Sequence, residues 1–270
     1  MPNQITLNVF RGDAECGGEL KSYDVPTFAG MVVLDAVHYI QANQDSSLAC
    51  RWNCKAAKCG SCSAEIDGKP GLLCKTRVDQ YPTGSIAVGP LRAFPLVKDL
   101  VTDVSWNYRT ARKIAPLTPA ADAPKPFVMQ QVDVDRVQEF RKCIECFLCQ
   151  DVCHVIREHH RQDAFFGPRQ MVRLAALEMH PMDTVNRREQ LKGEAGVGFC
   201  NITKCCTEVC PEHIHITDNA IIPLKERVVD DYFDPVRKLI QIFVGKKKQD
   251  RPLVPNSGGD RGEGEHKVRP

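Results

Sequence analysis

Cysteine is the residue type whose number and spacing most clearly predict chemistry in this 270-residue sequence. Fourteen cysteines are present, and most are grouped at short intervals. Reduced thiols at such spacings bind metals, so we interpret the groups as metal ligands rather than as a disulfide framework. The cysteines are Cys16, Cys50, Cys54, Cys59, Cys62, Cys74, Cys143, Cys146, Cys149, Cys153, Cys200, Cys205, Cys206 and Cys210.

The first group has the spacing C-x4-C-x2-C followed by a remote fourth cysteine, which is typical of plant-type ferredoxins with a 2Fe-2S cluster. Its members are Cys54, Cys59, Cys62 and Cys74. Gly60 and Ser61 would let backbone N–H groups approach the cluster sulfurs. A structural zinc site is the alternative, but it normally uses paired C-x2-C hooks, which Cys54 and Cys59 do not form. We therefore predict a 2Fe-2S cluster.

The second group is a C-x2-C-x2-C-x3-C run formed by Cys143, Cys146, Cys149 and Cys153. In bacterial ferredoxins three cysteines of such a run bind one cubane and the fourth binds the other cluster, so a second half of the motif is required. Residues 200–211 supply it when Cys206-x3-Cys210 is aligned with Cys149-x3-Cys153. Thr203 then stands where Cys146 stands in the first half, and one iron corner lacks a thiolate.

This alignment predicts two clusters with different numbers of thiolates. A 4Fe-4S cluster is expected on Cys143, Cys146, Cys149 and Cys210. A 3Fe-4S cluster is expected on Cys153, Cys200 and Cys206. Cys16, Cys50 and Cys205 remain unassigned, and Cys205 leaves two alternatives open: it could replace Cys206 by a one-residue slip, or it could complete a fourth ligand.

Apolar periodicity predicts an α+β chain with two domains. We expect a 2Fe-2S domain at 1–105, a proline-rich linker at 106–131, a mostly helical domain at 132–245 and a disordered tail at 246–270. Strands are expected at Ile5–Phe10, Glu19–Val25, Ser63–Ile66, Leu72–Cys74 and Ser85–Val88. Helices are expected at Met31–Ala42, Leu96–Arg112, Asp133–Phe140, Arg169–Met179, Asp183–Lys192 and Asp218–Val229.

Charge and hydropathy exclude several classes of protein. The 36 Lys and Arg residues nearly balance the 34 Asp and Glu residues, which leaves a formal charge of +2 and no basic surface for nucleic acid. No apolar run approaches the roughly 20 residues that cross a bilayer, and the N-terminus has no export signal. We expect an unexported chain that reaches a membrane only through a partner.

Four motifs together resemble the iron–sulfur subunits of succinate:quinone oxidoreductases, the family of succinate dehydrogenase and fumarate reductase, over about residues 4 to 245. They are Cys54-Lys-Ala-Ala-Lys-Cys59-Gly-Ser-Cys62, Cys143-Ile-Glu-Cys146-Phe-Leu-Cys149, Phe166-Gly167-Pro168 and Val209-Cys210-Pro211. The resemblance implies a β-grasp plant-type ferredoxin domain followed by a mostly α-helical domain like a bacterial dicluster ferredoxin.

The same resemblance implies how the subunit works and what binds it. A flavoprotein partner carrying FAD would pass electrons singly through the 2Fe-2S, 4Fe-4S and 3Fe-4S clusters to a membrane quinone, or in reverse for fumarate reduction. Membrane-anchor subunits would hold the chain at the cytoplasmic face of a bacterial cell membrane. Such a subunit transfers electrons and has no catalytic residue of its own.

The quinone end departs from the family pattern. Many relatives have a proline after the cysteine that matches Cys153, whereas His154 follows it here, and Asn201 stands where relatives often have a histidine. His154, His159 and Asn201 are therefore candidates for the vicinity of a quinone, without a carried-over role. Two other functions remain open: a soluble multicluster ferredoxin, and a fumarate reductase subunit that uses donors other than quinone.

Overall fold

The computed structural model describes residues 4–123, 125–233 and 235. Its strands are β1 (Gln4–Asp13), β2 (Gly17–Pro26), β3 (Ser63–Ile66), β4 (Lys69–Leu72), β5 (Ser85–Gly89), β6 (Leu96–Lys98) and β7 (Val101–Thr102). Its α-helices are α1 (Val33–Asn43), α2 (Ser105–Arg112), α3 (Gln131–Gln138), α4 (Leu148–Asp151), α5 (His154–Arg157), α6 (Pro168–Glu178), α7 (Arg188–Lys192), α8 (Cys205–Glu208) and α9 (Ile222–Tyr232). The chain is therefore α+β, as the sequence predicts.

The seven strands form one mixed sheet in the order β4-β3-β5-β1-β6-β7, and β2 pairs with β1. β1 is antiparallel to β2 and parallel to β5. Leu7 and Val9 of β1 are opposite Ile86 and Val88 of β5, and all four are fully buried. This period-2 burial explains why the alternating apolar residues of the N-terminus form a strand that has one face in the core.

The loop from residue 50 to residue 62 leaves α1 and enters β3, and it carries the first three cysteines of the 2Fe-2S motif. Cys74 lies two residues after β4. Lys55, Ala57 and Gly60 have positive φ angles of 54°, 55° and 68°. Alternating left-handed residues curl the loop, so the backbone that carries these cysteines does not extend as a strand.

The second half of the chain is built from short helices, and Gln150 of α4 is the buried residue that ties them together. Its Nε2 donates to Asn107 Oδ1 of α2 (2.9 Å) and to the carbonyl of Phe166 (3.1 Å). A Cβ on Gly167 would lie 2.0 Å from Gln150 Oε1, so only glycine fits at the start of α6. None of the described helices is long and apolar enough to cross a bilayer.

The expected helix at Leu96–Arg112 is wrong over its first half, where the chain forms β6 and β7 instead. The cause is Asp99, which is buried and has a φ of 50°. Its carboxylate accepts the backbone N–H groups of Gly12 (3.0 Å) and Ala49 (2.8 Å), and it pairs with Arg11 (3.0 Å). These long-range contacts hold a turn at Asp99, so only Ser105–Arg112 is helical.

Other expected elements differ in their bounds. β4 is Lys69–Leu72 rather than Leu72–Cys74, because its register pairs Leu72 with Ser63. Of the expected helix Asp183–Lys192 only Arg188–Lys192 forms, since Arg187 is buried and donates to Asp183 Oδ2 (2.6 Å) within the preceding turn. The last expected helix begins as a π-helix at Ile216–Ile221 and continues as α9. The predicted tail at 246–270 lies outside the described residues.

A buried carboxyl pair joins the sheet to the helical part of the chain. Asp151 of α4 is fully buried, and its Oδ1 accepts the N–H of Ala93 (2.9 Å). Glu65 of β3 forms ion pairs with Arg92 (2.7 Å) and Arg157 (2.9 Å). Burial and the adjacent Glu65 carboxyl raise the pKa of Asp151 to about 7, so Asp151 keeps its proton in the folded chain well above the pH at which an ordinary aspartate ionises.

We predict that this pair makes stability fall as pH rises from about 4 to about 7. In that range the folded chain keeps a proton on Asp151 that the unfolded chain releases, so the folded state is progressively disfavoured. Asp151→Asn keeps an acceptor for Ala93 and adds a donor for Glu65. The free energy of unfolding of this variant, relative to that of the parent chain, should rise between pH 5 and pH 8 by on the order of 2 kcal/mol. Thermal unfolding at each pH measures the difference. An identical pH profile for both proteins would contradict the raised pKa of Asp151.

Candidate metal centres

The first cradle is the site formed by Cys54, Cys59, Cys62 and Cys74. Cys54 Sγ accepts the backbone N–H groups of Ala56 and Lys58, both at 3.3 Å, in the curled loop. Cys62 and Cys74 are buried beneath that loop, next to the sheet. N–H donors that converge on a cysteine sulfur stabilise its thiolate form, which is the form that binds iron.

Two cysteines of the first cradle have pKa values shifted in opposite directions. Burial, together with the nearby sulfurs of Cys74 and Cys59, raises the pKa of Cys62 to about 12. Burial also opposes ionisation of Cys59, but hydrogen bonds from the Ser61 hydroxyl and from the backbone outweigh it and lower its pKa to about 7. Cys59 therefore ionises more readily than Cys62.

The second cradle is a cavity lined by Cys143, Cys146, Cys149 and Cys210. Burial is the largest influence on the first three and raises the pKa of each, while the sulfur of Cys210 adds to the effect. Cys210 Sγ accepts the N–H of Ile214 (3.4 Å). Thiols this close to one another are not all ionised unless a positively charged group sits among them.

The third cradle is a second cavity, lined by Cys153, Cys200, Cys205, Cys206 and Thr203. Burial, with a contribution from the neighbouring cysteine sulfurs, raises the pKa of Cys153 to about 11 and that of Cys206 to about 12. Cys206 Sγ lies 3.4 Å from Thr217 Oγ1, and Cys200 Sγ accepts the N–H of Ile202 (3.5 Å).

The second and third cradles repeat the same backbone. Phe147 and Lys204 both have left-handed conformations, with φ of 62° and 63°, and each immediately precedes a four-residue helix, α4 or α8. Glu145 and Ile202, two residues earlier in each copy, also have positive φ. Superposing these two turns pairs Cys206 with Cys149 and Thr203 with Cys146. The backbone therefore supports the sequence alignment in which Thr203 occupies the corner without a thiolate.

Cys205 is closer to the third cradle than sequence reasoning suggested. It is half-buried, lines the cavity, and its Sγ lies 3.3 Å from Thr203 Oγ1. In the repeated backbone, however, it corresponds to Leu148, which is not a cysteine position in the first copy. The repeated backbone thus favours Cys206 over Cys205 as a cluster ligand. Cys205 is a further thiol beside Thr203.

The second cradle is adjacent to the first on one side and to the third on the other. A Cβ on Gly60 of the first cradle would lie 2.6 Å from Cys146 Cα of the second, and Ser63 Oγ donates to the Cys146 carbonyl (2.8 Å). Helix α4, which carries Cys149 of the second cradle, contacts helix α8, which carries Cys206 of the third. Groups bound in the cradles would therefore be arranged in series.

The donor sets of the three cradles consist of cysteine thiols, which are the usual ligands of iron–sulfur clusters. All fourteen cysteines lie in the described part of the chain, and none forms a disulfide. Within that part, no three His, Cys, Asp or Glu side chains are grouped so that they could hold a single metal ion. Arg169 also lines the second cradle, and its buried Nε has no hydrogen-bond partner among the described residues.

The structure brings two of the three candidates for a quinone site to the third cradle and leaves the other apart. His154 and Asn201 are exposed and line the third cradle. His159 is exposed and does not line it. Phe199 and Ile202, which sequence reasoning missed, are large apolar side chains on the same surface, 47% and 40% exposed.

Two family models match this chain. A 2Fe-2S iron–sulfur cluster binding domain matches residues 6–108, and a 4Fe-4S dicluster domain matches residues 139–214. The fumarate reductase iron–sulfur subunit of Haemophilus influenzae is 32% identical over 234 residues, covering 79% of this chain and 90% of the relative. This chain belongs to the family of succinate dehydrogenase and fumarate reductase iron–sulfur subunits. It is an electron-transfer subunit of an oxidoreductase complex, with domains that bind 2Fe-2S and 4Fe-4S clusters.

A solved structure agrees with this family. A chain of the Mycobacterium smegmatis Sdh1 complex in the apo form is 58% identical, with a TM-score of 0.84, and the match covers 86% of this chain and 98% of that one. One subunit of the fumarate reductase (CoM/CoB) of Methanothermobacter marburgensis is 31% identical, but the match covers 76% of this chain and only 40% of that protein.

We predict that the contact between Gly60 and Cys146 cannot accept a side chain. Gly60→Ala should lower the free energy of unfolding by about 2 kcal/mol or more, because the new Cβ meets backbone atoms that cannot move aside. Gly68→Ala is the matched control, since Gly68 also has a positive φ (74°) but has nothing within 4 Å of its Cβ position. Equal destabilisation of the two variants in thermal unfolding would contradict the close contact.

We also predict that Cys205 and Cys206 differ in their effect on the third cradle. Cys206→Ser should lose the iron bound there, whereas Cys205→Ser should keep it, because only Cys206 matches Cys149 in the repeated backbone. Iron and sulfide analysis with low-temperature electron paramagnetic resonance measures this directly. The reverse result would move the ligand by one residue, and loss in both variants would make both cysteines ligands.

Proposed function

We propose that this subunit passes electrons singly from the flavin of a flavoprotein partner to a membrane quinone, or in reverse for fumarate reduction. When bound, its three clusters supply the one-electron steps between the two-electron chemistry of flavin and quinone. The observation that carries the proposal is the series of three adjacent cradles: Gly60 meets Cys146, and helix α4 with Cys149 contacts helix α8 with Cys206.

The proposed ligands divide into sets of four, four and three. Cys54, Cys59, Cys62 and Cys74 would hold a 2Fe-2S cluster. Cys143, Cys146, Cys149 and Cys210 would hold a 4Fe-4S cluster. Cys153, Cys200 and Cys206 would hold a 3Fe-4S cluster, an assignment supported by the position of Thr203 at the corner that lacks a thiolate. The corresponding domains would be a β-grasp ferredoxin domain at 1–105 and a helical dicluster domain at 132–245, joined by a linker at 106–131.

The protein's own contribution is to orient the sulfurs, exclude water and hold the cradles at fixed separation. Backbone N–H groups donate to the sulfurs of Cys54, Cys200 and Cys210, and hydrogen bonds of this kind orient ligating sulfurs and tune the group that they bind. Ser63 bridges two cradles through its bond to the Cys146 carbonyl. Lys75 Nζ donates to the carbonyl of Pro211 (2.7 Å), next to Cys210, so the two halves are tied on both sides of their contact.

The end of the series at the third cradle is the proposed membrane side. Phe199 and Ile202 are exposed and adjoin Cys200 and Thr203 in the chain, and Arg161 lies 5.1 Å from the ring of Phe199. An apolar surface with a basic margin suits an anchor subunit near anionic lipid headgroups. The chain would then lie at the cytoplasmic face of a bacterial membrane, with His154 and Asn201 nearer the quinone than His159.

Isolation of the native complex from membranes, followed by assay of succinate-dependent quinone reduction, tests the proposal. We expect a flavoprotein and a hydrophobic anchor to co-purify, and we expect electron delivery to quinone to stop when the third cradle loses its iron. Purification as a lone ferredoxin would contradict the proposal. Fumarate reduction with thiol donors and without membranes would favour the activity named for the M. marburgensis relative.

A further inference from the structure

Arg169 is a buried cation at the wall of the second cradle. It is the second residue of α6, after Pro168, and only 6% of its surface is exposed. Its side chain lines the same cavity as Cys143, Cys146 and Cys149. Buried arginines are rare unless they are paired, so the partner of this guanidinium determines its role.

The protein supplies only part of that partnership. One terminal nitrogen, Nη2, pairs with Glu145 Oε1. Nε is fully buried and has no hydrogen-bond partner among the described residues. Leaving a buried charged donor unpaired costs free energy, so Nε–H needs an acceptor that arrives with the bound group.

The electrostatics of the cavity identify the missing partner as an anion. Among the described residues that line this cavity, Arg169 is the one cation, and it stands beside the four cysteines Cys143, Cys146, Cys149 and Cys210. Glu145 compensates the cation only partly, because its side chain is 43% exposed and is solvated. Four thiolates around an iron–sulfur core carry a net negative charge that increases by one unit on reduction, and such a group matches both the charge and the donor.

We propose that Arg169 raises the reduction potential of the 4Fe-4S cluster by holding its charge and its Nε–H donor against the Cys143 side of that cluster. The inference rests on the proposed function, in that the second cradle must hold this cluster. Reduction adds one electron and changes no bond, so the cation stabilises the reduced state more than the oxidised state. Glu145 opposes this effect, because its negative charge partly cancels the positive potential of the guanidinium at the cluster.

A redox titration of the purified complex, followed by electron paramagnetic resonance of the reduced 4Fe-4S cluster, tests the role of Arg169. Arg169→Gln should shift the midpoint potential to a more negative value, and Glu145→Gln should shift it to a more positive one. Arg173→Gln removes the same charge from an exposed position one turn along α6 and should leave the potential unchanged. The 2Fe-2S potential should stay constant in Arg169→Gln and Arg173→Gln. Glu145 lies in a pocket with Cys59 of the first cradle, so Glu145→Gln is compared on the 4Fe-4S potential alone.

The outcomes separate the two proposals. If Arg169→Gln keeps a full complement of iron but has the potential of the Arg173→Gln control, the inference is overturned. If Arg169→Gln fails to assemble the cluster, the midpoint potential of the 4Fe-4S cluster in Glu145→Gln tests the inference instead. A value that is unchanged or more negative than that of the parent overturns the inference. Absence of a 4Fe-4S signal from the parent complex would instead overturn the proposed function of the second cradle.

Discussion

The contact between Gly60 and the backbone of Cys146 is the constraint on which the rest of the structure depends. It brings a loop of the sheet-forming half against a loop of the helical half, with room for no side chain between them. Three neighbouring interactions support this close approach. Ser63 and Lys75 donate hydrogen bonds across the contact, and the Asp151–Glu65 pair links α4 to β3. An electron carrier needs such rigidity because its cofactors must keep fixed separations, and a buried polar network supplies it.

The repeated backbone of the second and third cradles explains how one fold can hold two different clusters. Both copies use left-handed residues at equivalent places, ahead of the equivalent helices α4 and α8. What differs is the side chain at one corner, cysteine in the first copy and threonine in the second. Cluster type would then depend on one residue rather than on the fold, and Cys205 beside that corner gives the chain a further thiol.

Much of the candidate site was predictable because cysteine spacing is a local signal, and the alignment that equates Thr203 with Cys146 needs no structure. Contacts between distant segments gave no such signal. The turn at Asp99, which replaces half of an expected helix, depends on partners at Gly12 and Ala49. Arg169 was missed because nothing in its sequence neighbourhood except Gly167-Pro168 indicates that its side chain turns back towards the cysteines.

Low-temperature electron paramagnetic resonance of the native subunit, oxidised and then reduced stepwise alongside iron and sulfide counts, tests most directly whether the three cradles hold three different clusters. The predicted result is a three-iron signal in the oxidised state that disappears on reduction, a 2Fe-2S signal that appears, and about nine iron atoms per chain from the sum of the three cluster types. Zinc in place of iron, or cubane and 2Fe-2S signals with no three-iron species, would contradict it.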